Sequence, residues 1–192
     1  MDAREFVAGL VAEMQTLFAR LGEQGALEAE SNGRVEIVTL LELALKSEVE
    51  ASELAGFFMP STPEIDAKMA FARQCGDEMK HYHLIVRRLA ELGRDPAALD
   101  PLEGGYSPLY HYIKGLKSTV ERVAAGPFAR EAISEVRNAQ FLALCERAGD
   151  RATADLYRDV IQPEEVHHHR LGRELLERSC VAHELQAAAA EA

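Results

Sequence analysis

Apolar residues recur every three or four positions through most of this chain, the spacing that lays one hydrophobic stripe along a helix. One stripe runs Val38, Leu41, Leu45, Ala55, Met59, and a second runs Phe71, Cys75, Ile85, Leu89. A third runs Phe128, Ala132, Ala139, Leu142, and a fourth runs Ile161, Gly172, Leu175. Ala, Leu, Glu and Arg dominate and β-branched runs are scarce, so helix propensity agrees with the pattern. A first amphipathic helix is predicted over roughly 2–22, stopping near Gly22 and Gly25. A second starts near Ser31 or Asn32, whose side chains suit a cap, and runs to about Phe58. MPSTP at 59–63 reads as a turn, and a third helix covers about 62–92 before Gly93 stops it. RDPAALDPLEGGYSP is the one long loop-like stretch. A helix over 108–125 is expected to break at Gly126–Pro127, with Pro127 opening the next, which runs to about Ala148. After a short turn at 148–150, a last helix is predicted over 151–185, with the end of the chain fraying.

Short turns make neighbouring helices antiparallel, and a long connector lets the second pair dock on the first. The expected architecture is therefore a single all-α domain over 1–192. It has an N-terminal helix in 1–30, a hairpin in 31–93, a crossover carrying a helix in 94–126, a second hairpin in 127–185 and a frayed tail in 186–192. Two hairpins joined by one crossover make a four-helix bundle.

Composition excludes several classes. The chain carries 32 acidic and 21 basic residues, a formal net charge of −11. That weighs against a nucleic-acid partner, which needs clustered cations, and against an anionic membrane. The longest apolar runs fall far short of the ~20 residues of a membrane span. MDAREFVAGLVAEM has acids on both sides of its apolar residues and no basic start, so no secretory signal is predicted. Cys75, Cys145 and Cys180 are isolated, which suggests neither a disulfide framework nor a zinc or rubredoxin-type module. Each thiol reads as a small buried hydrophobe. A cytoplasmic location is the expectation.

Acids interrupt every stripe, and they do so with a repeat. Sliding the chain by 87 residues lays Ser47-Glu48-Val49 on Ser134-Glu135-Val136, Asp77-Glu78 on Glu164-Glu165, and His81 on His168. In each half a glutamate is followed thirty residues later by Glu-x-x-His. Residues three apart share a helix face, so Glu78/His81 and Glu165/His168 each aim a carboxylate and an imidazole at one place. Four carboxylates inside an apolar bundle repel one another and take up protons, unless two divalent cations balance them. Candidate metal ligands are thus Glu48, Glu78, His81, Glu135, Glu165 and His168.

The rivals are few. Glu50 lies about 200° around the helix from Glu48 and is expected to face solvent. Glu131, one turn from Glu135, competes for that position, although the offset favours Glu135. Glu164/His167 is an alternative register that breaks the repeat. His167 and His169 fall outside the ligand set, and His83, His111 and His183 read as ordinary polar residues. Gly76 and Pro163 coincide under the offset, each two residues before a ligand glutamate, where they weaken or kink a helix. Tyr82 and Tyr157 are candidates for the metals' surroundings, with core packing the simpler role.

Over about residues 32–180 the pattern resembles the ferritin-like superfamily of di-iron carboxylate proteins, its rubrerythrin and tRNA-hydroxylase-like branch included. SEVEAS at 47–52 resembles the family's Glu-x-x-Ala helix. DEMKH at 77–81 and EEVHH at 164–168 resemble its Asp-Glu-x-x-His motif, with Glu164 standing where Asp is usual. The resemblance implies a ferritin-like bundle and two Fe ions, with Mn or mixed Fe/Mn also suited to such ligands. It implies Glu48 and Glu135 as terminal ligands, Glu78 and Glu165 as bridges, and Asp77 and Glu164 as partners that orient the imidazoles. The function implied first is an oxidoreductase that activates O2 or peroxide and oxidises a small organic substrate, with a separate electron-donor protein. The alternatives are a ferroxidase, iron-storage or peroxide-detoxifying protein, and a non-catalytic subunit of a multicomponent oxygenase. The apolar first helix suits packing on its own bundle or a homodimer interface.

Overall fold

The structure is a computed structural model that describes residues 1–23 and 35–192. Helices account for nearly all of it, with no strand among the described residues. Helix α1 spans Ala3–Glu23, α2 Ile37–Phe58, α3 Ile65–Glu91 and α4 Pro108–Gly115. Helix α5 runs from Thr119–Val123 through a π-helical stretch, Ala124–Arg130, into Glu131–Ala148. Helix α6 likewise runs from Arg151–Leu156 through a π stretch, Tyr157–Ile161, into Gln162–Ser179. Helix α7 spans His183–Glu191. The caps expected at Ser31 or Asn32, and the stop at Gly25, lie outside the described residues. Among the described residues no helix is long and apolar enough to cross a membrane.

Two hydrophobic clusters fix the topology. One contains Leu54, Phe58, Phe71, Phe128, Leu175 and Leu176, and the other Leu41, Leu45, Ile85, Leu89, Phe141 and Ile161. Helix α2 passes from the second cluster to the first and α3 returns. Helix α5 passes from the first to the second and α6 returns. Each hairpin is therefore antiparallel, and the segment between α3 and α5 must travel the length of the bundle. Glu48, Glu78, His81, Glu131, Glu165 and His168, drawn from all four helices, lie between the two clusters in a polar layer with a hydrophobic floor and ceiling.

Three departures from the sequence reading have local causes. Gly126–Pro127 does not break the chain into two helices, because a π turn there absorbs the missing proline N–H without interrupting the rod. The break falls earlier, at Leu116–Ser118, where Ser118 and Glu121 form a capping box. The last long helix ends at Cys180 rather than 185, and 183–191 is a further helix rather than a frayed tail. Gln186 secures it, buried and donating to the carbonyls of Met1 at 3.1 Å and Cys180 at 3.0 Å. Elsewhere the stop signals act as expected. Gly149 at φ 76° closes α5, and Asp150 caps α6 through the Thr153 N–H at 3.1 Å.

Glu50 does not face solvent. It is buried, and its two carboxylate oxygens accept 2.6 Å bonds from the N–H and hydroxyl of Ser107 at the start of α4. Tyr106 donates to Glu53 at 2.7 Å from the same segment. The crossover docks along the α2 face turned away from Glu48, so Glu50 on that face is nonetheless covered.

Candidate metal centre

Two overlapping groups of side chains converge in the layer between the clusters. One is Glu48, Glu78, His81 and Glu165, and the other Glu78, Glu131, Glu165 and His168. Within each group one ligand atom per residue lies within 4.8 Å of the others, and every member is buried. Glu78 and Glu165 belong to both. Of the six residues expected from sequence, the structure brings together Glu48, Glu78, His81, Glu165 and His168.

Glu135 is the correction: it stands outside both groups, and Glu131, one turn earlier, occupies the place expected for it. Glu131 is 1% exposed and accepts from Gln74 Nε2 at 2.7 Å and from Arg130 Nη1 at 3.2 Å. The equal thirty-residue interval misled because the hairpins are not equal. The first turns through Met59–Glu64 with a 3₁₀ segment, whereas the second turns through Gly149–Asp150 alone and carries a π stretch on its return leg. Equal residue counts then no longer mean equal heights along the bundle. Glu135 is half-buried, and burial followed by the nearby Glu131 charge pushes its pKa up to about 7.

The imidazoles are held crosswise. His81 Nε2 lies 2.8 Å from Glu164 Oε2, and His168 Nε2 lies 3.1 Å from Asp77 Oδ2. Each motif thus supplies the acid that holds the other motif's histidine. An ionised carboxylate only accepts, so Nε2 carries a proton and Nδ1 is the ring nitrogen directed inward. His81 Nδ1 is 3.3 Å from Glu78 and 3.4 Å from Glu48, and His168 Nδ1 is 3.4 Å from Glu78. Lys80 pairs with both Asp77 and Glu164, tying the two outer acids together. The rival register is disfavoured by position: His167 lies partly exposed and accepts from Arg170 at 2.9 Å. His169 Nδ1 is 2.7 Å from the Phe128 carbonyl, where the ring stacks on Phe128.

The electrostatics are those of a crowded acid cluster. Burial pushes Glu48 up to about 8, with His81 offsetting part of the effect. Burial also holds Glu165 well above the usual carboxylate range, reinforced by the Glu78 and Glu131 charges. Burial opposes ionisation of Glu78 too, but the imidazoles of His168 and His81 and the Glu48 carboxyl beside it win and hold it well below. Burial likewise disfavours a charged His81, yet the neighbouring Glu48 and Glu78 carry its pKa to about 11.

The donor atoms themselves fit a cation. Glu78 Oε1, His81 Nδ1, Glu165 Oε2 and His168 Nδ1 are all buried without a hydrogen-bond partner. Four such orphans among the members of the two groups are costly unless a positive ion satisfies them, and Glu135 Oε1 is a further buried orphan outside the groups. Carboxylate and imidazole donors of this kind suit Fe, Mn or Zn. The layer can therefore hold a metal ion.

Sequence reasoning missed Arg130 and Gln74 altogether. Arg130 has a side chain only 12% exposed and reaches the Ser47 carbonyl at 2.7 Å and its hydroxyl at 2.9 Å. Nothing in a hydrophobic period marks an arginine that sits beside a stripe rather than in it. Tyr157 is fully buried at the edge of the same layer, and burial, aided by Glu48, holds its phenol well above the usual range. Tyr82 packs instead against the second hydrophobic cluster. Comparison with protein-family models, curated proteins and solved structures returns no match.

Proposed function

We propose that this chain is a dinuclear metal oxidoreductase of the ferritin-like kind, using two irons to activate O2 or peroxide against a small organic substrate. The observation that carries the reading is the pair of overlapping buried ligand groups with four orphaned donor atoms. Glu78 and Glu165, common to both groups, would be shared by the two ions. Glu48 and His81 would help hold one ion, and Glu131 and His168 the other. Glu164 and Asp77 fix the imidazole tautomers from outside. Two ferrous ions, when bound, supply the two electrons that reduce O2.

A role beyond holding metal is supported by the cavity beside the cluster. It has a volume of about 80 Å³ and is lined by Glu48, Glu78, Glu131 and Glu165 together with Leu40, Phe141 and Tyr157. A small molecule placed there touches the carboxylates directly while the apolar residues limit water.

The test is elemental analysis of protein reconstituted with ferrous iron without air, followed by optical spectra on exposure to O2. About two irons per chain and a new ferric absorption are expected, both lost in Glu78→Ala and His168→Ala. A wild-type chain that retains no metal after reconstitution and gains no stability from it refutes the proposal.

A further inference from the structure

The two acids that hold the imidazoles meet at one surface cation. Asp77 and Lys80 stand three residues apart on α3, so they share a face, and Lys80 Nζ lies 3.7 Å from Asp77 Oδ1. The same ammonium group reaches across to Oε1 of Glu164 on α6. Each acid turns its other oxygen to a ring: Glu164 Oε2 lies 2.8 Å from His81 Nε2, and Asp77 Oδ2 lies 3.1 Å from His168 Nε2. Lys80 touches neither imidazole, yet it is one carboxylate away from both.

Exposure rises outward along this path. The side chains of His81 and His168 are 0% and 1% exposed, those of Asp77 and Glu164 are 19% and 23%, and that of Lys80 is 43%. An ion pair reached this freely by water adds little to folding stability. What it does is set direction. A carboxylate is planar, so fixing one oxygen on Lys80 fixes where the other points, and with it the ring that the other oxygen holds. The two acids are not held equally. Asp77 Oδ2 also accepts from Arg73 Nε at 3.2 Å, whereas among the described residues Lys80 is the Lys or Arg that pairs with Glu164.

We propose that Lys80 is a positioning residue for the metal centre, one ammonium group that orients both His81 and His168 through Glu164 and Asp77. Both ion positions then depend on a single surface lysine. The assignment rests on the metal-centre reading of the polar layer. The geometry also gives an order of effect. Lys80 governs His81 more strongly than His168, because Arg73 supports Asp77 as well, and Arg73 acts on His168 alone.

The experiment uses the full chain loaded with Zn(II), which takes carboxylate and imidazole donors without redox chemistry. NMR reads how fast the two Nε2 protons exchange with solvent, and competition with a chromophoric chelator reads zinc affinity. Lys80→Met should speed exchange at His81 roughly fivefold and at His168 by a smaller factor, and should weaken zinc binding roughly fivefold, the upper end for a partly exposed ion pair. Lys80→Arg should restore both readouts, and high salt should erase much of the difference between wild type and Lys80→Met by screening the pair. Arg73→Met should speed exchange at His168 alone. A lysine that only stabilises the fold would shift the melting temperature and leave proton exchange at both rings as in wild type. That result, or a Lys80→Met chain in which only one ring responds, overturns the assignment. The two failures are distinguishable. Zinc retained by wild type with both rings indifferent to Lys80 sinks only the positioning role, whereas no zinc retained by wild type sinks the metal centre and this assignment with it.

Discussion

Gly172 offers the sharpest single test of how the fold positions the ligands. It lies on α6 one turn beyond His168. A Cβ built there would meet Phe128 N at 2.6 Å, Pro127 C at 2.7 Å and Pro127 O at 2.8 Å. Ordinary contact begins near 3.4 Å, so α5 and α6 must separate by most of an ångström. The obstructing atoms are backbone, so no rotamer change relieves them. Overpacking of this kind costs about 1–3 kcal/mol, and the rigid obstacle puts Gly172→Ala at the upper end. Replacing a helical glycine returns about 1 kcal/mol of propensity, leaving a net loss of about 2 kcal/mol. For a chain of this size that lowers the melting temperature by about 4–8 °C. Gly76, two residues before Glu78, is the control, because a Cβ there has nothing within 4 Å. Gly76→Ala should raise the melting temperature by about 2–4 °C through propensity alone. The functional readout is metal affinity: separating α6 from α5 draws Glu165 and His168 away from Glu131, so Gly172→Ala should bind metal more weakly and Gly76→Ala should not. Thermal unfolding and a metal titration on both variants decide the matter. A Gly172→Ala protein as stable as Gly76→Ala would refute the close approach of the two helices.

Three further outcomes are expected. Glu131→Gln should lower bound metal from about two per chain toward one while Glu135→Gln leaves it unchanged, as elemental analysis will show; the reverse result would restore Glu135 to the site. In the metal-free chain Glu48 and His81, with values of about 8 and 11, are protonated at pH 7, so metal entry should release protons and apparent affinity should rise with pH. Both values lie above those of the unfolded chain, so their stabilisation is complete below about pH 4.5 for Glu48 and 6.5 for His81, and is lost as pH rises through the folded values. Calorimetry in buffers of different ionisation heat counts the protons, and none released at pH 7 would contradict the acid-cluster picture. Asp150→Ala removes the α6 cap and the 2.7 Å pair with Arg88. It should cost about 1–2 kcal/mol in chemical denaturation while metal content stays constant, because the change lies at the far end of the hairpin.

The helices and the polar layer were legible because both rest on angle around an axis, which a sequence records through its period. Glu78 with His81, and Glu165 with His168, need only three-residue spacing on one face, and all four meet in the structure. What the period does not record is height along the axis and what covers a face. Glu50 sits on the side of α2 away from the cluster, as its angle requires, but the crossover lies over that side and brings Ser107 to it. Glu131 and Glu135 share a face, so angle alone leaves them equivalent. The choice between them depends on the two-residue turn at Gly149–Asp150 and on the π stretch Tyr157–Ile161, which uses one residue more than a regular turn. The 87-residue equivalence therefore holds for the Glu-x-x-His motifs and fails for the single glutamates. Each motif is contained within one regular stretch of helix, whereas the interval from either single glutamate to its motif spans connectors of different construction. The π stretch Ala124–Arg130 ends where Glu131 begins, which sets Arg130 and Glu131 together at the edge of the cluster. The irregular turns that blurred the sequence pattern are thus the same ones that bring Arg130 and one of the cluster's acids into place.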